Sequence, residues 1–253
     1  MREIFDMKNE QRRHYDGKKD KDFIIASFKK CVTEKREIDK DLERIILSFI
    51  KTKKCTILDA CCGIGHLSYF LSEISPESKF LGVDQTTYLI EEAKKLCQNK
   101  SNITFEINDI FDITTKYSKT FDISISWRTL SWLPYYEQML KDLFAVTKHH
   151  IFISSLFYDG DIDFITQVRE FKKETGKEHF NDYYNVYSLP QFRKFVYELG
   201  AKNIEIYDFE ISKDLPKPPI DQLGAYTLRL EDGKRLQISG AILLPWKIIR
   251  IDL

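Results

Sequence analysis

The chain has no surplus of either charge. Its 39 lysines and arginines are matched by 39 aspartates and glutamates over 253 residues, which argues against a nucleic-acid partner. It has no long apolar run: stretches such as "GAILLPW" (240–246) fall far short of the roughly 20 residues needed to span a bilayer. The first twenty residues, "MREIFDMKNEQRRHYDGKKD", are charged throughout and lack the apolar core of a signal peptide. These absences predict a soluble, cytoplasmic protein with no membrane partner. The five cysteines (31, 55, 61, 62 and 97) are odd in number and contain no CxxC pair, which favours reduced thiols over a disulfide framework. The neighbours Cys61 and Cys62 could bond to each other only through a strained eight-membered ring. They also lack the second pair or histidine cluster of a zinc site, so no metal is expected. There is no internal repeat and no low-complexity segment, and "DLPKPPID" (214–221) reads as a proline-stiffened connector.

What is present alternates. Helices are predicted over 22–32 and 39–51, the second with Leu42, Ile45, Ile46, Phe49 and Ile50 on one apolar stripe. Strands are predicted at 55–60, 79–84, 103–107, 121–126 and 150–155, with helices between them at 65–73, 87–98 and 134–147. Pro134 suits a first helical position. Strand–helix alternation means a parallel sheet covered on both faces. Beyond it the pattern predicts a helix over 160–175 in an insertion and a helix over 189–199, opened by the capping box Ser188–Gln191 and stopped at Gly200. A strand follows at 203–210, then a hairpin turning at Asp232-Gly233, then a last strand, "WKIIRIDL".

The stretch "ILDACCGIGHLSYFL" (57–71) carries the function. A glycine-rich turn between a first strand and helix lets backbone approach a ligand, at the sheet edge where open α/β folds bind. The third glycine of a dinucleotide fingerprint is missing. Asp59 ahead of the loop would repel a pyrophosphate and attract an ammonium group. Both observations disfavour a nicotinamide oxidoreductase.

"ILDACCGIG" resembles the first motif of the class I S-adenosylmethionine-dependent methyltransferases, with Cys61 at the usual first-glycine position and Gly63 and Gly65 at the other two. Cysteine is accommodated there if the backbone at 61 keeps negative φ. "FLGVDQT" resembles the second motif, whose acid, Asp84, would take the ribose hydroxyls, since two carboxylate oxygens suit two adjacent donors. "FEINDIFD" resembles the third, with Asp109 toward the adenine amino group, and "FDISISWRTLSWL" the fourth, with Ser126, Trp127 and Arg128 beside the methyl group. Asp84 read without the resemblance is a helix cap, and Asp109 a turn aspartate. The resemblance covers about residues 40–155. It implies a Rossmann-like seven-stranded mixed sheet with helices on both faces, an N-terminal helical lid (1–52), a cofactor-binding core (53–155), an acceptor lobe after strand five (156–200) and C-terminal strands with an extra β-hairpin (201–253). The implied cofactor is S-adenosylmethionine, held by Asp59, Ala60, Cys61, Gly63, Gly65, Asp84, Gln85, Asp109, Ile110, Ser126 and Trp127.

The acceptor side is read from residue chemistry. Among the five histidines, His149 and His150 precede the fifth strand on the face opposite the site and are structural, while His66 enters the first helix facing solvent. His14, in the lid, and His179, in the lobe, are the candidate bases. Arg128 could hold a phosphate or carboxylate with its guanidinium fork. Tyr15, Tyr158, Asn181, Tyr183 and Tyr184 are candidate acceptor contacts, having aromatic bodies or polar tips. Asp159, Asp161 and Asp163 with Glu170 have calcium-loop spacing, but Phe164 stands where that loop needs glycine, and a solvated loop is the better reading. "YNVYSLPQF" and "YTLRLEDGKRLQISG" are similar to stretches of bacterial small-molecule methyltransferases, some linked to surface-polysaccharide modification, which implies a sugar or glycan precursor as acceptor. The expected activity is methyl transfer to a small polar molecule. The rivals are RNA or protein methylation, disfavoured by neutral charge and by "SWRT" where an Asn-Pro-Pro-Tyr-like motif would stand, and a catalytically silent cofactor-binding module. The sequence sets no oligomeric state.

Overall fold

The computed structural model describes residues 21–171, 175–219 and 224–253. Helices α1 (Lys21–Thr33) and α2 (Glu37–Ile50) come first. The expected stripe of α2 is what it buries, with Leu42, Ile46 and Ile50 fully enclosed. Then follow β1 (Thr56–Ala60), α3 (His66–Ile74), β2 (Lys79–Asp84), α4 (Thr87–Leu96), β3 (Ile103–Ile107), β4 (Phe121–Trp127), α5 (Glu137–Val146) and β5 (Thr147–Tyr158). The rest of the chain supplies β6 (Gln167–Phe171), β7 (Glu178–Tyr183), β8 (Tyr187–Ser188), α6 (Leu189–Glu198), β9 (Asn203–Asp208), β10 (Ala225–Arg229), β11 (Arg235–Ser239), β12 (Ile242–Leu243) and β13 (Trp246–Asp252).

The main sheet runs β3-β2-β1-β4-β5-β13-β9, with β8 pairing β5 as an eighth member. Strands β1 to β5 are parallel, and β13 is antiparallel to both β5 and β9. Chain order reverses between β1 and β4, so the carboxyl ends of these two strands open a crevice. Both faces are covered. Ile57 of β1 packs in one apolar cluster with Ile46 and Phe152, and its neighbour Leu58 packs in the other with Leu140 and Phe192. This is the period-2 division of a doubly covered sheet. The seven-stranded mixed sheet and the hairpin at Asp232-Gly233 agree with expectation.

Three expectations about elements need correction. The described part of the 160–175 segment, residues 160–171 and 175, does not form a helix. The segment instead pairs through Phe164 and Val186, whose N–H groups each donate to the other's carbonyl at 2.8 and 3.0 Å, and through the antiparallel β6 and β7. Phe164, Ile165 and Phe171 stay exposed; a helix there has no surface on which to bury an apolar stripe, and isolated helices are marginal. Pro134 does not open α5. A 3₁₀ turn at Leu130–Trp132 intervenes, and the helix starts at Glu137. Finally, no turn separates α5 from β5. Lys119 donates from Nζ to the carbonyls of Phe144 and Thr147, both at 2.8 Å, closing the helix end so that the strand begins at once. His149 and His150 therefore lie within β5, at its amino end, where His150 Nδ1 meets Asp252 Oδ1 at 2.8 Å.

Buried Asn185 ties the lobe after β5 to the segment after β4. Its Nδ2 donates to Leu133 O at 2.9 Å, its Oδ1 accepts from Thr166 N at 2.9 Å, and its own N–H donates to Ser131 O at 2.7 Å. Asn185→Ala removes the acceptor of the half-buried Thr166 N–H and leaves Leu133 O to Tyr187 alone, and the expected cost is about 1–2 kcal/mol, read as a lower urea midpoint at unchanged slope.

Candidate functional site

After β1 the chain climbs through three residues with left-handed backbone: Cys61 (φ 60°), Gly63 (φ 57°) and Gly65 (φ 71°). The expectation of negative φ at Cys61 is overturned, and a side chain held there costs roughly 1–2 kcal/mol. The loop cannot relax because its backbone is tied down. Cys62 N donates to Val83 O at 2.9 Å, and Gly63 N donates to Asp84 Oδ2 at 3.0 Å. At Gly65 a Cβ would stand 2.4 Å from the ring of Phe105, so glycine is required where α3 begins. At Gly63 a Cβ would meet Phe28 of α1 at 2.9 Å; α1 thus closes over the loop.

Above this loop lies a cavity of about 290 Å³ at the carboxyl ends of β1, β2 and β4. Of the expected cofactor residues, Asp59, Cys61, Gly63, Asp84 and Gln85 line it, as do Asp109, Ile110 and Trp127. Ala60, Gly65 and Ser126 do not: Ala60 and Ser126 are fully buried in their strands, and Gly65 sits under Phe105. On the acceptor side, Arg128 and Tyr183 reach the wall. Tyr184 is buried away from it, stacked on Trp132 at 4.6 Å, and Tyr158 is exposed against Phe164. His14, Tyr15 and the side chains of His179 and Asn181 lie outside the described residues. Asp84 does not cap the helix after β2, whose N-cap is Thr86; it closes the turn before it, accepting from Thr86 N at 2.9 Å through Oδ1 while Oδ2 holds Gly63. Asp109 likewise accepts from Phe111 N at 3.0 Å while facing the cavity. The three aspartates after β5 are held singly: Asp159 pairs with Lys247, Asp161 accepts from Gln191, and Asp163 accepts from Ser188 N.

Among the wall residues that sequence reasoning missed, three bear on the chemistry. His66 is not solvent-facing but 6% exposed on the cavity wall. Arg36, just ahead of α2, faces the same space, as does Phe28. No sequence signal marks Phe28 and Arg36, which are brought in by α1 and the start of α2 ahead of the motif-bearing core, and His66 opens α3 within the motif stretch but reads as exposed because nothing local shows what covers it.

The charges are unevenly placed. Burial pushes the Asp59 carboxyl up to about 6, although Ser68 Oγ donates to it at 2.8 Å. Burial also raises Asp84, against the two N–H groups that favour its charge. The thiols of Cys61 and Cys62 are pushed well above their ordinary value by burial and by the surrounding aspartates, so neither is a reactive thiolate. At the other end Arg128 has been pushed down to about 10, by burial first and by Arg36 second. Its guanidinium lies over the Trp246 ring at 4.8 Å.

Residues 51–214 match a family model described as a methyltransferase domain. The chain belongs to the class I S-adenosylmethionine-dependent methyltransferase family. It is 31% identical over 112 residues to the malonyl-acyl-carrier-protein O-methyltransferase of Bacillus cereus, covering 42% of this chain and 40% of that one. It is 30% identical over 95 residues to the demethylmenaquinone methyltransferase of Lactococcus lactis, covering 37% and 38%. The chain thus spans about two-fifths of the length of these curated relatives. In fold, the chain is similar to the magnesium protoporphyrin IX methyltransferase of Synechocystis with bound S-adenosylmethionine (TM-score 0.51, 14% identity, 85% of this chain and 78% of that one). It is also similar to the YcgJ protein of Bacillus subtilis (TM-score 0.55, 11% identity, 83% and 96%).

Cys61→Gly removes the strained side chain from the loop of this methyltransferase. It is expected to raise stability by about 1 kcal/mol, measured as a higher urea midpoint, with S-adenosylhomocysteine affinity by calorimetry within about twofold, a change of only about 0.4 kcal/mol.

Proposed function

We propose that the chain transfers the methyl group of S-adenosylmethionine to a small acceptor that carries a carboxylate or phosphate. The wall residues fit the cofactor. Backbone without Cβ at Gly63 allows close approach, and Asp84, Asp109 and Gln85 present acceptors toward the space that a nucleoside would fill. Asp59, buried and poised to ionise, offers a counter-charge for an ammonium group. When bound, the cofactor supplies a sulfonium-activated methyl group. The chain's own residues then have to orient the acceptor, exclude water and receive any proton.

One observation carries the acceptor class. Arg36 and Arg128 both face the cavity and are half-buried, and the carboxylate that acts on Arg128 is that of Asp39, whose nearer titratable neighbour is His66 at 3.8 Å. A partly desolvated guanidinium with no close ion pair is costly, and an anionic ligand group supplies a direct partner. Arg128, leaving β4 at the reaction centre, would grip it in bidentate fashion. A sugar or glycan precursor qualifies as acceptor when it bears such a group.

With S-adenosylhomocysteine bound, calorimetry with malonate and with inorganic phosphate as probes is expected to show binding. Arg128→Ala should weaken it about tenfold or more, as loss of a charge-assisted bond worth roughly 1.5–3 kcal/mol requires. Arg128→Lys should recover part of it. Equal probe affinity in wild type and Arg128→Ala would exclude this acceptor class.

Asp59 generates a pH prediction. Its folded value, near 6, is raised above the ordinary 3.8, so below about pH 6 the free site holds a proton there. A cationic ligand favours the ionised form and must expel that proton. S-adenosylhomocysteine affinity should therefore fall as pH drops below about 6 and stay level above it, with proton release near pH 6 seen as a buffer-dependent enthalpy. Asp59→Asn should flatten the profile.

A further inference from the structure

Helix α2 turns one acid inward. Asp39 is fully buried on the stripe that carries Leu42 and Ile46. Trp127, at the end of β4, donates its indole N–H to Asp39 Oδ1 at 2.8 Å. Among the described residues the other oxygen, Oδ2, has no hydrogen-bond partner, and neither ring nitrogen of His66 has one. These orphans face each other: His66 Nε2 lies 3.8 Å from Asp39 Oδ2. A structural anchor for Trp127 explains Oδ1 alone. It does not explain an acid–imidazole pair left unsatisfied beside a ligand cavity, where each buried unpaired polar group is destabilising.

The charges around His66 are Asp39 on α2, Arg36 ahead of it and Arg128 after β4. Burial, helped by the two arginines and opposed by Asp39, holds the imidazole down to about 4, so it is neutral at physiological pH. With its proton on Nε2, toward Asp39, the neutral imidazole keeps a lone pair on Nδ1, a nitrogen buried in the cavity wall. Hydrogen bonds of this kind are often long until a ligand closes the site.

We propose that His66 accepts the proton of the group being methylated and that Asp39 is its positioning residue. The inference rests on the acceptor reading above, which places the acceptor against the Arg128 wall. The acceptor atom's lone pair forms the new bond to carbon, its proton passes to the imidazole, and the electron pair of the broken carbon–sulfur bond stays on sulfur. The Asp39 carboxylate stabilises the imidazolium that results. This narrows the substrate class: the methylated atom is a hydroxyl oxygen or an amine nitrogen that still carries a proton, on a molecule whose anion lies elsewhere. A free carboxylate as the methylated group needs no such base.

The test uses the full chain with S-adenosylhomocysteine bound and two alkylating probes, bromoacetate and neutral bromoacetamide, with modified residues located by mass spectrometry. A neutral imidazole nitrogen displaces bromide from either. In the wild type, His66 should be alkylated at pH 7, at least tenfold faster by bromoacetate, whose carboxylate Arg128 would seat. Asp39→Asn keeps an acceptor for Trp127 but loses the charge. It should slow both reagents at His66 at least fivefold and move the midpoint of the labelling pH profile downward, which a purely structural role of Asp39 would not do. Two results would overturn the proposal: no labelling of His66 in the native complex while the urea-unfolded chain is labelled, or identical rates and profiles in Asp39→Asn. Should that variant not fold, native labelling of wild-type His66 decides alone. If Asp39→Asn slows both reagents but bromoacetate has no advantage over bromoacetamide, the proton-accepting pair stands and the anionic-acceptor reading fails.

Discussion

Two chain segments leave the sheet side by side, one after β1 and one after β2, and the carboxylate of Asp84 ties them together. One oxygen takes the N–H of Gly63 and the other that of Thr86. Taking this carboxylate out of water is unfavourable, and its raised pKa records that. The two backbone donors offset part of the cost. With Gly63 fixed, the loop has little choice. It climbs through left-handed positions at 61, 63 and 65, and α3 begins at once with His66. The inward position of His66, and so its approach to Asp39, follows from that bond.

The cavity built on this tie is electrically polar. Asp59, Asp84 and Asp109 gather where β1, β2 and β3 end, and Arg36 and Arg128 stand on the side of β4 and α2. Trp127 and Trp246 mark the boundary, one holding Asp39 by its indole N–H and the other carrying the Arg128 guanidinium on its face. In a cavity lined by buried and half-buried groups, fixed charges of this kind act more strongly than on a surface. The arrangement suits a cation at the carboxylate end and an anion at the arginine end.

Much of this was legible in the chain. β1 to β4 alternate with helices in a period that both apolar clusters confirm, and Asp59, Asp84 and Asp109 follow strands at the spacing where a ligand wall forms. What failed did so where distant parts meet. The 160–175 segment has apolar residues at helical spacing, but its partner is Val186 and its neighbours, which no local period reveals. His66 reads as exposed because α3 alone gives no hint that α2 lies across it. Asp39 looks like a surface acid at the start of an amphipathic helix, and only the indole of Trp127, 88 residues away, shows otherwise. Cys61 was placed correctly in the loop, yet its backbone sign depended on Asp84 pulling on Gly63.

Three non-glycine residues among those described adopt left-handed backbone: Cys61, Lys119 and Arg128. Such positions persist only where the surroundings over-determine them. At Lys119 the reason is structural, since its ammonium closes the end of α5 on the carbonyls of Phe144 and Thr147. Cys61 is forced by the Asp84 tie. Arg128 differs from both. Its N–H continues the β4–β5 ladder to Ser154 O at 2.9 Å, and the left-handed turn then deflects the chain away from the sheet. Glycine would make that turn without strain. What glycine lacks is the guanidinium, which the turn delivers to the cavity wall, over Trp246 and within reach of the Asp39 charge but not in an ion pair with it. Among the described residues the strain at this position is matched by no tie of the kind that fixes Lys119 or Cys61, and the proposed grip on an anionic acceptor would give it a reason.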